Sequence, residues 1–189
     1  MPTRPTVFET ERLLARAWSL DDAEAVWDLY RRPEVVRYIG GQSQETVDQA
    51  REYLRFLIDR NAGWPDGYGS FPMFRKSDGR LVGTAVFKRL PDVDGNPSED
   101  TEIGWHLHPE VWGQGLATEI GRALIRHGFD DLGLDVLHAV VEPPNVRSSA
   151  VALRLGMEHL GRTTAYYGGI ELEHYVLRNA SATPRPGRG

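Results

Sequence analysis

The stretch from Glu102 to Gly121, EIGWHLHPEVWGQGLATEIG, limits what this chain can fold into more than any other. It reads as a short strand, a turn at His108-Pro109, a glycine-bearing loop from Trp112 to Ala117, and a helix that begins with Thr118 and Glu119. A turn that ends at a helix start leaves several backbone N–H groups without intrahelical partners. Those donors and the positive end of the helix dipole suit a phosphate or pyrophosphate. Gly113 and Gly115 carry no Cβ, so an anion can approach the backbone there. The spacing is not that of a P-loop, and Thr118 stands where a dinucleotide fingerprint would have its third glycine. Taken alone, the turn equally fits a strand-to-helix connection that binds nothing.

The rest of the chain supports this unit. At 189 residues, with 40% hydrophobic and 26% charged content, it fits one domain with a sizeable core. We expect that domain to span residues 8–179, with residues 1–7 a mobile N-terminus and residues 180–189 a disordered tail, both rich in Pro, Gly, Thr and Arg. A formal net charge of −5 argues against direct nucleic-acid binding. No apolar run approaches bilayer length, so no membrane partner is expected. The chain contains no cysteine, which removes disulfides, cysteine nucleophiles and thiolate metal sites. Its first residues lack the apolar core of a signal peptide, and a cytoplasmic location is expected.

In order, Arg12 to Ala17 reads as a strand, and Ser19-x-x-Asp22 as a capping box. Ala23, Val26, Trp27 and Tyr30 recur at helical spacing up to a break before Pro33, and a second helix runs from about Ser43. Ser70–Arg75 and Leu81–Lys88 form a hairpin around Asp78-Gly79. Pro91 to Ser98 is a polar loop whose Asp92 and Asp94 lack the final glutamate of a calcium loop. After the central helix, which ends near Gly128, a strand spans Val136–Glu142. A helix runs from the cap Asn145 to Gly156, and strands Glu158–Ala165 and Leu172–Leu177 close the fold.

Alternation puts Glu102, Gly104, His106 and His108 on one face of the central strand and Ile103, Trp105 and Leu107 on the other, unless a bulge intervenes. The polar face should meet a cleft. Glu102 there is either a general base or a solvated strand-edge residue. His106, whose unperturbed pKa lies near neutrality, is the second base candidate. His106 and His108 have no third ligand at a suggestive spacing, so no metal is expected.

Three blocks occur in a fixed order: Glu102-Ile103-Gly104-Trp105, Pro109 to Glu119, and Asn145…Ser148…Leu155-Gly156-Met157. Together they closely resemble the GNAT N-acetyltransferase superfamily. Thr10-Glu11-Arg12-Leu13-Leu14 with Asp21-Asp22-Ala23 resembles its RimJ/RimL ribosomal-protein branch, and the likeness covers residues 8 to 179. The resemblance implies a mixed α/β (α+β) GNAT fold, a central, mostly antiparallel sheet of about six to seven strands flanked by about four helices. It implies direct acetyl transfer from acetyl-CoA, as co-substrate, to a primary amine on a small molecule or protein N-terminus. A non-catalytic acyl-CoA sensor or scaffold is the alternative. Many relatives dimerise, so a homodimer is among the expected assemblies.

In such enzymes the turn formed by Trp112, Gly113, Gln114, Gly115, Leu116, Ala117 and Thr118 would cradle the pyrophosphate. Gly115 and Ala117 match the family's pattern, whereas Trp112 replaces a usual Gln or Arg. Trp105, His106 and Leu107 would offer backbone groups to pantetheine, and Glu102 matches a residue proposed as base. The tyrosine that often protonates the thiolate is Ala152 here, and Ser148 matches the serine thought to replace it in the RimL-like branch. Asn145 would hold pantetheine or orient a water. Asn145 and Ser148 also read as an ordinary helix cap and first turn. Tyr166 and Tyr167 are reserve proton donors, and the Gly40-Gly41 loop a candidate wall of the acceptor site.

Overall fold

In the computed structural model, which describes residues 6–41 and 43–180, the helices start where their caps dictate. Ser19 and Asp22 close the expected capping box: Asp21 N–H donates to Ser19 Oγ at 3.2 Å, and Ser19 N–H to Asp22 Oδ2 at 2.9 Å. Helix α1 (Ala23–Tyr30) follows. Pro33 opens a further short helix, α2 (Pro33–Val36), because its missing N–H is no loss in a first turn. Helix α3 (Val47–Ala62) begins later than Ser43, at the Thr46 cap that accepts from Gln49 N–H at 3.2 Å. Helix α4 (Leu116–Arg126) starts two residues before Thr118 and runs on into a π-helical turn at His127–Asp131. Helix α5 (Val146–Arg154) completes the set, so among the described residues five α-helices stand where about four were expected.

The strands are β1 (Thr6–Glu9), β2 (Leu13–Arg16), β3 (Gly69–Arg75), β4 (Leu81–Pro91), β5 (Pro97–Leu107), β6 (Val136–Val141), β7 (Glu158–Thr163) and β8 (Leu172–Arg178). They form one sheet in the order β1-β2-β3-β4-β5-β6-β8-β7. The strand beyond the expected six to seven is β1. Thr6 and Val7, expected in a mobile terminus, instead belong to a strand that pairs antiparallel with β2. The remaining terminal segments, 1–5 and 181–189, lie outside the described residues. The polar loop expected at 91–98 shrinks to 92–96, because β4 and β5 each extend into it.

Register divides the sheet into two faces. Ala85 pairs with Trp105 and Phe87 with Ile103, and these side chains share a core with Ile120 and Leu124 of α4, Leu137 of β6 and Ala152 of α5. Each such large apolar side chain contributes about 1.5–3 kcal/mol on burial. Thr84 pairs with His106, Val86 with Gly104 and Lys88 with Glu102, on the opposite face, where Tyr30 of α1 hydrogen-bonds Thr84. There α1 and α3 pack on each other through Val26, Leu29, Leu54 and Leu57. The β4–β5 register is continuous from Thr101 to Leu107, so the alternation read along this strand holds.

All neighbouring strands are antiparallel except β5 and β6. That parallel pair is joined at Glu102↔His138 alone, although β5 runs on to Leu107 and β6 to Val141. Beyond that rung the strands diverge. The β6-facing edge of β5 is left without a sheet partner there.

Candidate active site

A cleft of about 1650 Å³ opens at this divergence. Trp105, His106 and Leu107 line it from β5; Trp112, Gly113, Gly115, Leu116, Ala117 and Thr118 from the turn into α4; Asn145 and Ser148 from α5. Eleven of the thirteen residues assigned to the site from sequence thus share one wall-to-wall space. The other two, Gln114 and Glu102, do not line it. Gln114 turns outward, and its Nε2 donates to Glu110 O at 3.0 Å.

Gly113 and Gly115 take left-handed backbone angles, φ 77° and 79°, which an L-residue adopts only with strain. Gly115 is the N-cap of α4, and no side chain caps that end. The first-turn N–H groups therefore face the cleft with their hydrogen-bonding capacity intact. Glu119, in the same turn, would repel an anion if left uncompensated. It accepts from Thr10 Oγ1 at 2.5 Å, Arg12 N–H at 2.9 Å and Arg12 Nε at 2.6 Å. Part-burial opposes the charge, but these donors hold the carboxyl below its ordinary range. Arg12 also donates to Gln114 O at 3.0 Å. The opening motif Thr10-Glu11-Arg12 is thus a clamp that neutralises Glu119 and fixes the turn. The sequence showed the motif without its partner, 109 residues away from Thr10.

Trp112, where a Gln or Arg was expected, is fixed by Nε1 donating to Leu107 O at 2.9 Å, and the Arg147 guanidinium lies 4.7 Å from its ring centre. This cation–π contact joins the α4 turn to α5 across the cleft mouth.

Asn145 Oδ1 accepts from Ser148 N–H at 3.3 Å, so the cap exists as expected. The cap uses the backbone of Ser148 and not its hydroxyl, which makes no hydrogen bond among the described residues while lining the cleft. Cap and proton donor are compatible.

Glu102 is 9% exposed. Tyr167 O–H donates to its Oε2 at 2.5 Å, and Lys88 Nζ lies 3.6 Å from the same oxygen and 4.9 Å from the Tyr167 ring centre. Burial and then the Glu102 charge raise the Tyr167 phenol well above its usual range, so it stays a donor. Tyr167 also has φ 51°, the only positive φ outside glycine among the described residues. Tyr166 O–H donates to Asp100 Oδ2 at 2.6 Å. Both tyrosines are therefore engaged with carboxylates of β5.

His106 Nδ1 lies 3.3 Å from Tyr30 O–H, which is also 2.8 Å from Thr84 Oγ1. Burial, then Lys88 and Arg60, lower its pKa to about 4, so it is neutral at pH 7. His108 is turned toward α1: Nε2 sits 3.3 Å from Asp28 Oδ2, and Nδ1 accepts from Glu110 N–H at 3.3 Å.

Beside the Gly40-Gly41 loop, the candidate wall of the acceptor site, the cleft meets the end of α2 and the residues after it. The cleft is closed there by Val35, Arg37, Tyr38 and Ile39, the segment that the unforeseen α2 positions. Helical periodicity could not show these residues, because α2 is a single turn that opens on a proline.

A splayed β-strand pair beside an uncapped glycine turn, in a sheet with helices on both faces, is the architecture of an α/β transferase domain. Residues 12–158 match the acetyltransferase (GNAT) domain family, and the chain belongs to it, as an N-acetyltransferase. It is 29% identical over 165 residues to the uncharacterized N-acetyltransferase YoaA of Bacillus subtilis, covering 85% of this chain and 87% of the relative. It is also 29% identical to the FsC-acetyl coenzyme A-N(2)-transacetylase of Aspergillus fumigatus, covering 83% of this chain and 66% of that one. The crystal structure of a GNAT-family acetyltransferase from Bacillus anthracis superposes with TM-score 0.72 at 26% identity, over 90% of this chain and 96% of the other. RimL, a ribosomal L7/L12 α-N-protein acetyltransferase solved with coenzyme A, shares the fold with TM-score 0.73 at 17% identity, over 92% and 98%. No helix among the described residues is long and apolar enough to cross a membrane.

Proposed function

We propose that the protein transfers the acetyl group of acetyl-CoA directly to a primary amine, on a small molecule or a protein N-terminus. The observation that carries this is the uncapped, left-handed Gly115 start of α4 opening into the same cleft as the unpaired edge of β5. The α4 turn would hold the pyrophosphate through backbone N–H groups, and the edge of β5 from Trp105 to Leu107 would take the pantetheine amides in place of a strand.

Glu102 is the base. It takes a proton from the acceptor ammonium, and the freed nitrogen attacks the thioester carbonyl carbon. The C–N bond forms and the C–S bond breaks; the thiolate takes a proton from Ser148 Oγ, and that oxygen regains one from the attacking nitrogen as it becomes the amide. Ser148 suits this role better than either tyrosine, since Ser148 lines the cleft and both phenols are bound to carboxylates. His106 sits at the join between the cleft and the Glu102 face, and burial with Lys88 and Arg60 nearby keeps it neutral there. Without cysteine, no thioester can form on this chain, which supports transfer by single displacement.

The test is acetyl-CoA turnover against a panel of amines, reading released CoA with a thiol reagent. Every thiol signal belongs to CoA, because the chain has none. Amine-dependent release is expected. Tight acetyl-CoA binding with no release by any amine would favour the sensor alternative.

A further inference from the structure

The surroundings of Glu102 on the α1/α3 face carry more positive charge than that carboxylate and its neighbours use. Lys88 lies beside Glu102, with its side chain 19% exposed. Arg60, half-buried on the last turn of α3, donates from Nη2 to Ser70 Oγ at 3.1 Å and lies 5.1 Å from the Phe56 ring. No carboxylate of the described residues is within ion-pair distance of Arg60, although its field reaches Tyr30, Tyr53, His106 and Tyr167. The other acid on this face, Asp100, is bound by Tyr166 O–H and lies 3.3 Å from His138 Nε2. A guanidinium withdrawn from water without an anion is costly, and supplying the anion is what relieves it.

Two further features describe a ligand space. Gly104 lies between Glu102 and His106 on the same face, and a Cβ there would touch only Val86, at 3.4 Å. The sheet surface is therefore bare between the base and the residue that reaches the cleft. The Tyr167 hydroxyl, a hydrogen-bond donor seated on Glu102, marks the direction from which an amine N–H would reach that carboxylate.

We propose that this face is the acceptor subsite, and that the acceptor is a primary amine which also bears an anionic group such as a carboxylate. Its nitrogen takes the place of the Tyr167 hydroxyl on Glu102, and its anion meets Arg60 and Lys88. This rests on the acetyltransferase assignment above and adds the charge class of the substrate. The same chemistry could come from a free amino acid or from a peptide whose first residue is acidic.

The experiment compares each acid with its own amide, at equal concentrations of unprotonated amine. One arm uses free amino acids and amino-acid amides, the other dipeptides beginning with aspartate or asparagine. The wild-type enzyme should favour acid over amide by about ten- to a hundred-fold in kcat/KM, the range for a hydrogen bond to a charged partner. The arm with the larger ratio identifies the source. Arg60→Gln should bring the ratio to near one, whereas Arg55→Gln, exposed on the same helix, should keep it. If circular dichroism shows that R60Q does not fold, Lys88→Gln makes the same test. Amides or polyamines used as well as acids by the wild type, or a ratio unchanged in the folded variant, would overturn the proposal. No release with any amine would instead defeat the acetyltransferase assignment. The subsite is then judged by calorimetric binding of the same pairs, and equal affinities for acid and amide overturn it.

Discussion

Glu102 and Ser148 can each be changed with their hydrogen bonds to Tyr167 and Asn145 kept. Glu102→Gln keeps an acceptor oxygen for the Tyr167 hydroxyl but cannot take a proton. Turnover should fall about 10²–10⁴-fold while the acetyl-CoA Kd stays within a factor of about two. Steady-state kinetics with calorimetry checks both. Ser148→Ala keeps the N–H that Asn145 accepts. It should therefore cost less than about 0.5 kcal/mol of stability while lowering kcat about 10²-fold. A purely structural Ser148 would leave kcat alone. His106 makes a prediction about pH. Its pKa is lowered to about 4 from 6.5, so the unfolded chain binds the extra proton first as pH falls. The corresponding stability is complete above pH 6.5 and is lost as pH drops toward 4, by about 3 kcal/mol in all. Denaturant titrations at both ends of that window should show this loss in the wild type and a smaller one in His106→Phe. Burial also lowers His138 and His174, which is why only the difference between the two proteins is diagnostic.

At the scale of elements, the site depends on one strand pair staying joined and its neighbour coming apart. A Cβ on Gly83 of β4 would meet the backbone oxygen of His106 at 2.2 Å, so the β4–β5 pair closes only over a glycine there. Gly83→Ala must push β5 away, with an expected cost of about 2–4 kcal/mol, readable as a lower urea midpoint. The α4 turn has a different sensitivity. A Cβ on Gly115 would find only Arg12 Nη2, at 3.7 Å, which is ordinary contact, so the obstacle is its left-handed φ of 79°. Gly115→Ala should cost about 1–2 kcal/mol in that conformation, and whatever the turn relaxes to should bind acetyl-CoA more weakly. Calorimetry on the folded variant reads this directly.

At the scale of the molecule, the cleft is a joint between elements far apart in the chain. Thr10 and Arg12 at the start of the sheet hold Glu119 of α4, and Trp112 meets Arg147 of α5. Ligand binding should therefore stabilise the whole domain. At a hundred times its Kd, acetyl-CoA adds about 2.7 kcal/mol, or about 5–10 °C in Tm for a domain of this size. Glu119→Ala, which releases the clamp, should lower both the unliganded Tm and the size of this shift, as differential scanning calorimetry would show.

The sequence by itself determined what depends on neighbours a few residues apart. The Ser19–Asp22 box, the Asn145 cap, the Asp78-Gly79 hairpin, the two left-handed glycines and the alternation of β5 all follow from local sterics and hydrogen bonding. The family blocks brought together on the same local footing residues that line one cleft. Tertiary structure alone decided the rest. The count of eight strands turned on Thr6–Glu9 finding β2 as a partner, since four residues carry too little periodicity to announce a strand. The cleft wall at Val35–Ile39, the Thr10–Glu119 clamp and the Tyr167 hydroxyl seated on Glu102 join segments up to 109 residues apart. Such contacts are set by how the sheet closes and the strands splay, and no local pattern in the chain encodes the distance between residues that meet only after that closure.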